Sequence, residues 1–136
     1  MARESQRPAP RLAFAVVAVE PEAGDFFAVS WRITNKSGAD VLVVETWLPH
    51  NGFYADKESL SPELRVEPAG SVEVSRRVRC RATAEADVEN AFLILQVDFV
   101  GAVWRIFVRM RVKAEASSMR PIIEAVTAQT VGLVKE

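Results

Sequence analysis

The chain has 136 residues with a net charge of −1, of which 49% are hydrophobic and 26% charged. A chain of this length can form one domain that buries about two-thirds of its surface, and its ordinary composition excludes wholesale disorder. The near-neutral charge lacks the basic excess of a dedicated nucleic-acid-binding protein, so no nucleic-acid partner is expected. A single cysteine excludes an intrachain disulfide and favours a cytoplasmic location, with export as the alternative.

The first apolar stretch, LAFAVVAV, begins at Leu12 and follows a basic N-terminus, a combination that a secretory signal peptide also has. Its large side chains alternate with alanines, as in a half-buried strand, and the sequence Glu20-Pro21-Glu22 follows at once. The pattern favours a first strand over residues 11–19, after a flexible arm of residues 1–10, with a signal peptide as the alternative. No apolar run approaches the roughly 18 residues that a membrane span needs, so none is expected.

Period-two alternation recurs along the chain between turn-forming residues. It predicts six further strands, over residues 26–34, 41–48, 63–67, 71–80, 91–99 and 102–113. Residues 49–62 are predicted to be a long connection, in which Pro49 and Gly52 form turns. Arg76 interrupts the apolar side of its strand, which predicts a β-bulge or an edge position there. The tail, residues 114–136, is rich in β-branched residues and is predicted to be extended rather than a short helix.

Seven short strands with almost no helical periodicity predict an all-β fold, a seven-stranded antiparallel immunoglobulin-like sandwich over residues 11–113 with an extended C-terminal tail. A small β-barrel is the main alternative. Two segments, WRITNKSGADVLVVETWLP and LRVEPAGSVEVSRRVRC, resemble the second to third and the fourth to fifth strands of bacterial immunoglobulin-like adhesion and accessory modules. That resemblance implies the sandwich fold and a role as a spacer or binding domain, but function still has to be argued from a site.

The residues needed for catalysis are sparse. A cysteine nucleophile needs a base, and Cys80 with His50 is the only Cys/His combination, but the two leave different predicted strands. His50, Asp56 and Glu58 could supply three metal ligands, yet one histidine among carboxylates lacks the tight spacing of zinc ligands. The chain has no glycine-rich phosphate loop and no HExxH or G-x-S-x-G motif. We therefore expect a protein that is not an enzyme and has no metal or other cofactor.

Two predicted strands carry rows of outward-pointing arginines. The rows are Arg77, Arg79 and Arg81 on the first of these strands, and Arg105, Arg109 and Arg111 on the second. Guanidinium groups favour carboxylates or phosphates, but an immunoglobulin-like order would put the two strands in different sheets. We favour ion pairs with acids such as Glu73 and Glu63, together with protection of sheet edges.

The stretch WLPHNGFYADKE contains the only histidine and the only tyrosine of the chain. Long connections that are rich in aromatic residues are often recognition surfaces, so the stretch is a candidate site for a small molecule or glycan. Its candidate binding residues are Trp47, His50, Asn51, Phe53, Tyr54 and Asp56. A purely structural role, in which Phe53 or Tyr54 closes the end of the sandwich, is the alternative.

A second candidate surface is apolar. Alternation turns Phe92 and Ile94 of one strand, and Val103 and Phe107 of the next, away from the core, and an apolar patch of that size often marks an interface. The candidate interface residues are Val43, Phe92, Ile94, Val103, Phe107, Ile122, Ile123 and Val126. Either the tail folds back over this face, or a protein partner covers it, with a homodimer or a swapped tail favoured.

Overall fold

The computed structural model describes residues 8–133, in which all regular structure is β-strand. Its eight strands are β1 (Leu12–Pro21), β2 (Phe26–Asn35), β3 (Val41–His50), β4 (Phe53–Val66), β5 (Ser71–Cys80), β6 (Val88–Phe99), β7 (Ala102–Glu115) and β8 (Ser118–Leu133). The predicted all-β class is confirmed, but the predicted count of seven strands is wrong. Among the described residues no helix is long and apolar enough to cross a membrane.

All eight strands belong to one antiparallel sheet with the order β1-β2-β5-β4-β3-β6-β7-β8. The sheet curls until β1 and β8 approach each other, although no hydrogen-bonded ladder joins them over residues 8–133. A nearly closed, barrel-like sheet therefore replaces the predicted seven-stranded sandwich. The prediction failed because β4 pairs with both β3 and β5, and so connects strand groups that a sandwich keeps in separate sheets.

The core lies inside the curled sheet and is built from alternate residues of the central strands, as the pleat of a strand requires. Leu93 and Leu95 of β6 and Ile106 of β7 are buried inward-facing residues. Trp31 of β2 packs edge-to-face against Phe53 of β4, with ring centroids 6.4 Å apart. Burying a side chain of this size stabilises the fold by about 1.5–3 kcal/mol, so these layers hold the sheet in its curled form.

The predicted long connection over residues 49–62 is in fact a tight hairpin. β3 continues to His50, Asn51-Gly52 makes the turn, and β4 begins at Phe53, opposite His50. Asn-Gly is a strong hairpin signal, but the alternation after it is broken and hid the strand. Glu45 pairs with Ser59, whereas Val43 pairs with Leu64, so residues 60–63 have no partner on β3 and disturb the period of two.

The tail forms β8, which pairs with β7 from Glu115↔Ser118 to Ala102↔Leu133. It is extended, as its β-branched residues indicated. It adds a strand to the sheet beside β7 and does not form a separate layer. Residues 1–7 of the predicted N-terminal arm lie outside the described part of the chain.

Candidate functional site

Five apolar side chains of β3, β6 and β7 point away from the core, and we call the surface that they form the outer apolar face. It consists of Trp47, Phe92, Ile94, Val103 and Phe107. Gln96 and Arg105, which also point outward, separate Val103 from the other four. Ile94 lies opposite Trp47 on one side and Phe107 on the other, so these three side chains are contiguous. Phe92 and Phe107 meet edge-to-face with centroids 6.2 Å apart, a favoured aromatic geometry. Ile94 is 8% exposed and its four companions are half-buried.

β8 extends this face sideways and does not cover it. Phe107 lies opposite Thr127, and Arg109 lies opposite Ala125. Together with Phe92 these residues line a shallow pocket of about 340 Å³ on the solvent side of the sheet. The predicted alternative, in which residues 122–134 fold back over the face, is therefore wrong for the described part of the tail.

Val43 was predicted to be an interface residue on the outer face, and this is wrong. Val43 is fully buried and pairs with Val97 inside the core. β3 has a register shift between Val43 and Glu45, which inserts one extra residue. Because side chains alternate with a period of two, one extra residue moves everything beyond it to the opposite face.

The three predicted interface residues of the tail lie on both sides of a second register shift, between Ile123 and Ala125 of β8. Ile122 lies opposite Arg111 and is half-buried. Ile123 lies opposite Met110 and packs against the core, so its assignment to an outer interface is wrong. Val126 lies opposite the buried Val108 and therefore faces inward, yet it is 37% exposed because it borders the open side of the sheet.

The outward arginines of β7 make local contacts. The guanidinium of Arg105 lies 5.7 Å from the centre of the Trp47 ring, within cation–π range. Arg109 and Arg111 lie 4.0 and 3.4 Å from the carboxylate of Glu124 on β8. On β5, Arg77 pairs with Glu22 at 2.8 Å. Among the described residues the expected ion pairs therefore form for Arg77, Arg109 and Arg111 of the two rows. Glu73 pairs instead with Arg32 of β2, at 3.7 Å.

The six residues of the predicted binding loop lie in different parts of the structure. Phe53 is fully buried in the core, and Trp47 belongs to the outer apolar face. The Nδ1 atom of His50 accepts a hydrogen bond of 2.9 Å from the backbone N–H of Gly52, which closes the hairpin turn. The side-chain oxygen of Asn51 accepts a long contact of 3.4 Å from Arg79. Those four residues therefore do not form one binding site.

The remaining two candidate residues line a cleft between β4 and β5. The ladder between these strands consists only of Phe53↔Cys80 and Tyr54↔Arg79, after which the strands separate. The opening, which we call the β4–β5 cleft, has a volume of about 460 Å³. Its lining residues are Phe26, Tyr54, Ala55, Asp56, Lys57, Glu58, Arg76, Arg77 and Arg79.

The floor of the cleft is the buried guanidinium of Arg76, which is 8% exposed. It donates to the carbonyl and the hydroxyl of Thr46 at 3.0 and 2.9 Å, and also to the carbonyl of Asp56. Burial lowers the pKa of Arg76, opposed by the carboxylate of Glu58 at 3.6 Å. The predicted bulge at this position is wrong, since Arg76 pairs in regular register with Val29. The predicted edge position is partly right, because β4 has separated from β5 at this point.

The arrangement around Cys80 does not form a nucleophilic pair. Cys80 and His50 both lie opposite Phe53, one on each side of β4, so an intervening strand separates them. Burial raises the pKa of the Cys80 thiol, which disfavours the reactive thiolate. Within residues 8–133 no group of three histidine, cysteine or carboxylate side chains is placed to hold a metal ion.

Tyr54 at the mouth of the cleft donates a hydrogen bond of 2.6 Å from its hydroxyl to Asp56. That bond, and then the negative charge of Asp56, raises the pKa of Tyr54. The guanidinium of Arg79 lies 5.6 Å from the centre of the tyrosine ring. The cleft thus combines two aromatic rings, from Phe26 and Tyr54, with charged groups of both signs.

Comparison of the chain with protein-family models, with curated proteins and with solved structures finds no match. Two surface features of the described residues stand out, the outer apolar face and the β4–β5 cleft. Both are surfaces on which another molecule can lie.

Proposed function

We propose that this protein is a non-enzymatic interaction module that self-associates through the outer apolar face. The observation that carries the proposal is the position of β8, which lies beside β7 and leaves Phe92 and Phe107 on the solvent side of the sheet. Contiguous apolar surface of this kind on a soluble domain often marks an interface. A homodimer with two-fold symmetry uses the same patch on both subunits, so one surface suffices.

The composition of the face supports this proposal. Aromatic residues and arginine are enriched at the centres of protein interfaces, where water is excluded around them. Phe92 and Phe107 supply the aromatic centre, and Arg109 with Glu124 supplies a polar rim. Arg105 lies over Trp47, so its aliphatic stem adds apolar surface at the opposite side of the patch.

Multi-angle light scattering tests the proposal over a range of protein concentrations. We expect the wild-type protein to form dimers that Phe107→Ser converts to monomers. Phe26→Ser is the matched control, since Phe26 is another half-buried aromatic residue, on β2, with an arginine over its ring. A wild-type protein that stays monomeric at every concentration would refute self-association, and equal loss of dimer in both variants would refute the role of this face.

We also propose that the fold is an eight-stranded relative of the immunoglobulin-like arrangement. The strand order supports this, because β1, β2 and β5 are neighbours, as are β3, β6 and β7, and the immunoglobulin fold has both groups. The extra strand β8 and the double pairing of β4 are the departures. An experimental structure in which β4 pairs with only one neighbour would strengthen the relationship, and a fully closed ladder would remove it.

A second candidate function is binding of a small molecule or glycan. One observation favours it: Tyr54 and Asp56, two of the six residues predicted for this role, line the β4–β5 cleft. The cleft volume of about 460 Å³ lies within the range of ligand sites. A calorimetric screen of glycans and small molecules, repeated with Tyr54→Ala and Trp47→Ala, tests this. Loss of binding in Tyr54→Ala alone supports the cleft, because Trp47 lies outside it, and equal binding by all three proteins excludes it.

A further inference from the structure

A pocket of about 360 Å³ opens between the start of β1 and the middle of β8, where the curled sheet has no ladder. We call it the seam pocket. Its lining joins Leu12 of β1 to Val126 and Ala128 of β8. Ile106, a buried core residue opposite Ala128, also lines it, so the pocket lies on the inner side of β8 and reaches the core. Leu12 is only half-buried and Val126 is 37% exposed, which leaves apolar surface uncovered there.

The charged residues of the seam pocket are all positive. Arg11 and Lys36 line it and are exposed, and none of its described lining residues is an aspartate or a glutamate. Within residues 8–133 the ion pairs are made by other cations. Neighbouring positive charges repel each other, and an anion between them relieves that repulsion. The pocket therefore combines an apolar wall with a cationic mouth.

Hydrogen bonds fix the position of both cationic residues. The backbone N–H of Lys36 donates to the carbonyl of Arg11 at 2.8 Å, and the Arg11 guanidinium donates to the carbonyl of Lys36 at 3.0 Å. The backbone N–H of Arg11 donates to the hydroxyl of Ser37 at 2.7 Å. The fully buried Asn35 anchors this turn, because its side-chain amide donates to the carbonyl of Val66 at 2.9 Å. A mouth that is ordered before binding lowers the entropic cost of holding a ligand.

We propose that the seam pocket binds one molecule of a medium-chain fatty acid. The carboxylate lies at Arg11 and Lys36, since guanidinium groups favour carboxylates, and the alkyl chain follows the seam towards Ile106. A water-sized group occupies about 30 Å³, so the pocket of about 360 Å³ holds roughly twelve such groups, as many as decanoate has heavy atoms. The site is separate from the outer apolar face, which lies on the other side of the sheet.

Two other kinds of ligand match the seam pocket less well. A neutral apolar molecule would cover Leu12 and Val126 but would leave Arg11 and Lys36 without a counter-charge. A small inorganic anion would neutralise the two cations but would leave the apolar wall in contact with water. An amphipathic anion satisfies both parts of the pocket.

Isothermal titration calorimetry at neutral pH and low ionic strength tests the ligand class. The wild-type protein is titrated with hexanoate, octanoate and decanoate, and with 1-octanol as the neutral match for octanoate. We expect one molecule to bind per chain, and affinity to rise about two- to fourfold for each added methylene group. Octanol should bind about tenfold more weakly than octanoate, because it lacks the charge that the cations hold.

Paired variants test the position of the ligand. Lys36→Gln should weaken octanoate binding about three- to tenfold and leave octanol binding unchanged. Its control is Lys57→Gln, which removes an exposed lysine that lines the β4–β5 cleft. Ala128→Phe fills the seam pocket and should abolish binding of both ligands. Its control is Ala125→Phe, on the same strand but in the pocket beside Arg109 on the outer apolar face.

Methyl NMR spectra of the wild-type protein locate the ligand without any substitution. Octanoate should shift the methyl resonances of Leu12, Ile106 and Val126, which line the seam pocket. The methyl resonances of Ile94 and Val103, on the outer apolar face, should stay unchanged. Shifts confined to Ile94 and Val103 would assign the ligand to the outer face and overturn the proposal.

The remaining outcomes also decide the proposal. Absence of binding, affinity that does not rise with chain length, or octanol that binds as tightly as octanoate would each overturn it. Loss of octanoate binding in Lys57→Gln or Ala125→Phe, with Lys36→Gln and Ala128→Phe unaffected, would move the ligand elsewhere and overturn it too. Light scattering measures self-association independently, so a monomeric protein that binds octanoate as expected would retain this proposal and lose only the other.

Discussion

Replacing Arg76 with methionine should destabilise the fold, because the guanidinium donates to the carbonyl and hydroxyl of Thr46 on β3 and to the carbonyl of Asp56 on β4. Thr46 is fully buried, and its carbonyl and hydroxyl lose the donor that lies 3.0 and 2.9 Å away in the wild-type protein. An unsatisfied buried polar group costs about 1–3 kcal/mol. Removing a desolvated charge returns part of this cost. We therefore expect Arg76→Met to lower the free energy of unfolding by about 2–4 kcal/mol.

Urea unfolding followed by tryptophan fluorescence measures this change, since Trp31 is fully buried in the core. Wild type and variants are compared at one protein concentration, because dimerisation shifts apparent stability. Thr46→Val removes only the hydroxyl acceptor and should cost about 1 kcal/mol. Glu58→Gln should change stability by at most about 1 kcal/mol, since the Glu58 side chain is 57% exposed and lies 3.6 Å from Arg76.

Two results would refute this reasoning. An Arg76→Met variant as stable as wild type would mean that the charge costs as much as its hydrogen bonds contribute, as in buried ion pairs that hydrophobic residues can replace. A Glu58→Gln variant as unstable as Arg76→Met would mean that the ion pair, and not the hydrogen bonds from Arg76 to Thr46, holds β5 against β3.

Three further predictions concern single side chains. Alkaline titration of Tyr54, the only tyrosine, should show a midpoint above the ordinary value of about 10, and Asp56→Asn should lower it. Because the folded-state pKa is raised, the associated stability is present below about pH 10 and lost as the pH rises through that pKa. The Cys80 thiol should react with a disulfide reagent far more slowly in the folded protein than in guanidinium chloride, because burial raises its pKa; equal rates would contradict its burial. Val100→Asn should stabilise the protein by about 1 kcal/mol in urea unfolding, because Val100 has a φ of 49° that asparagine tolerates better, whereas the β-branched control Val100→Thr should not.

Part of the site could be predicted from sequence because its signals are local. The alternation of β6 and β7 was enough to turn Phe92, Ile94 and Phe107 to one outer face, since neither strand has a bulge between residues 91 and 99 or 104 and 109. Arg76 could be singled out because its charge interrupts the apolar side of the strand that is now β5. Asn51-Gly52 predicts a hairpin turn on its own, but the irregular strand after it hid that signal.

The rest of the site depends on which strands are neighbours. The β4–β5 cleft exists because β4 leaves β5 after Tyr54, and Arg79 comes near Tyr54 only through that pairing. No periodicity within β4 or β5 encodes where their ladder ends.

The sequence by itself determined the all-β class, the extended tail and the apolar faces of the regular strands, because side-chain alternation is a property of each strand alone. The tertiary structure decided the strand order, the joining of the sheet through β4 and the position of β8 beside the outer apolar face. It also decided that Val43 is buried while Trp47 is on the outer face. One extra residue on β3, between Val43 and Glu45, moves the side chains beyond it to the opposite face of the sheet. Such shifts arise from contacts between distant segments, which a local pattern does not contain.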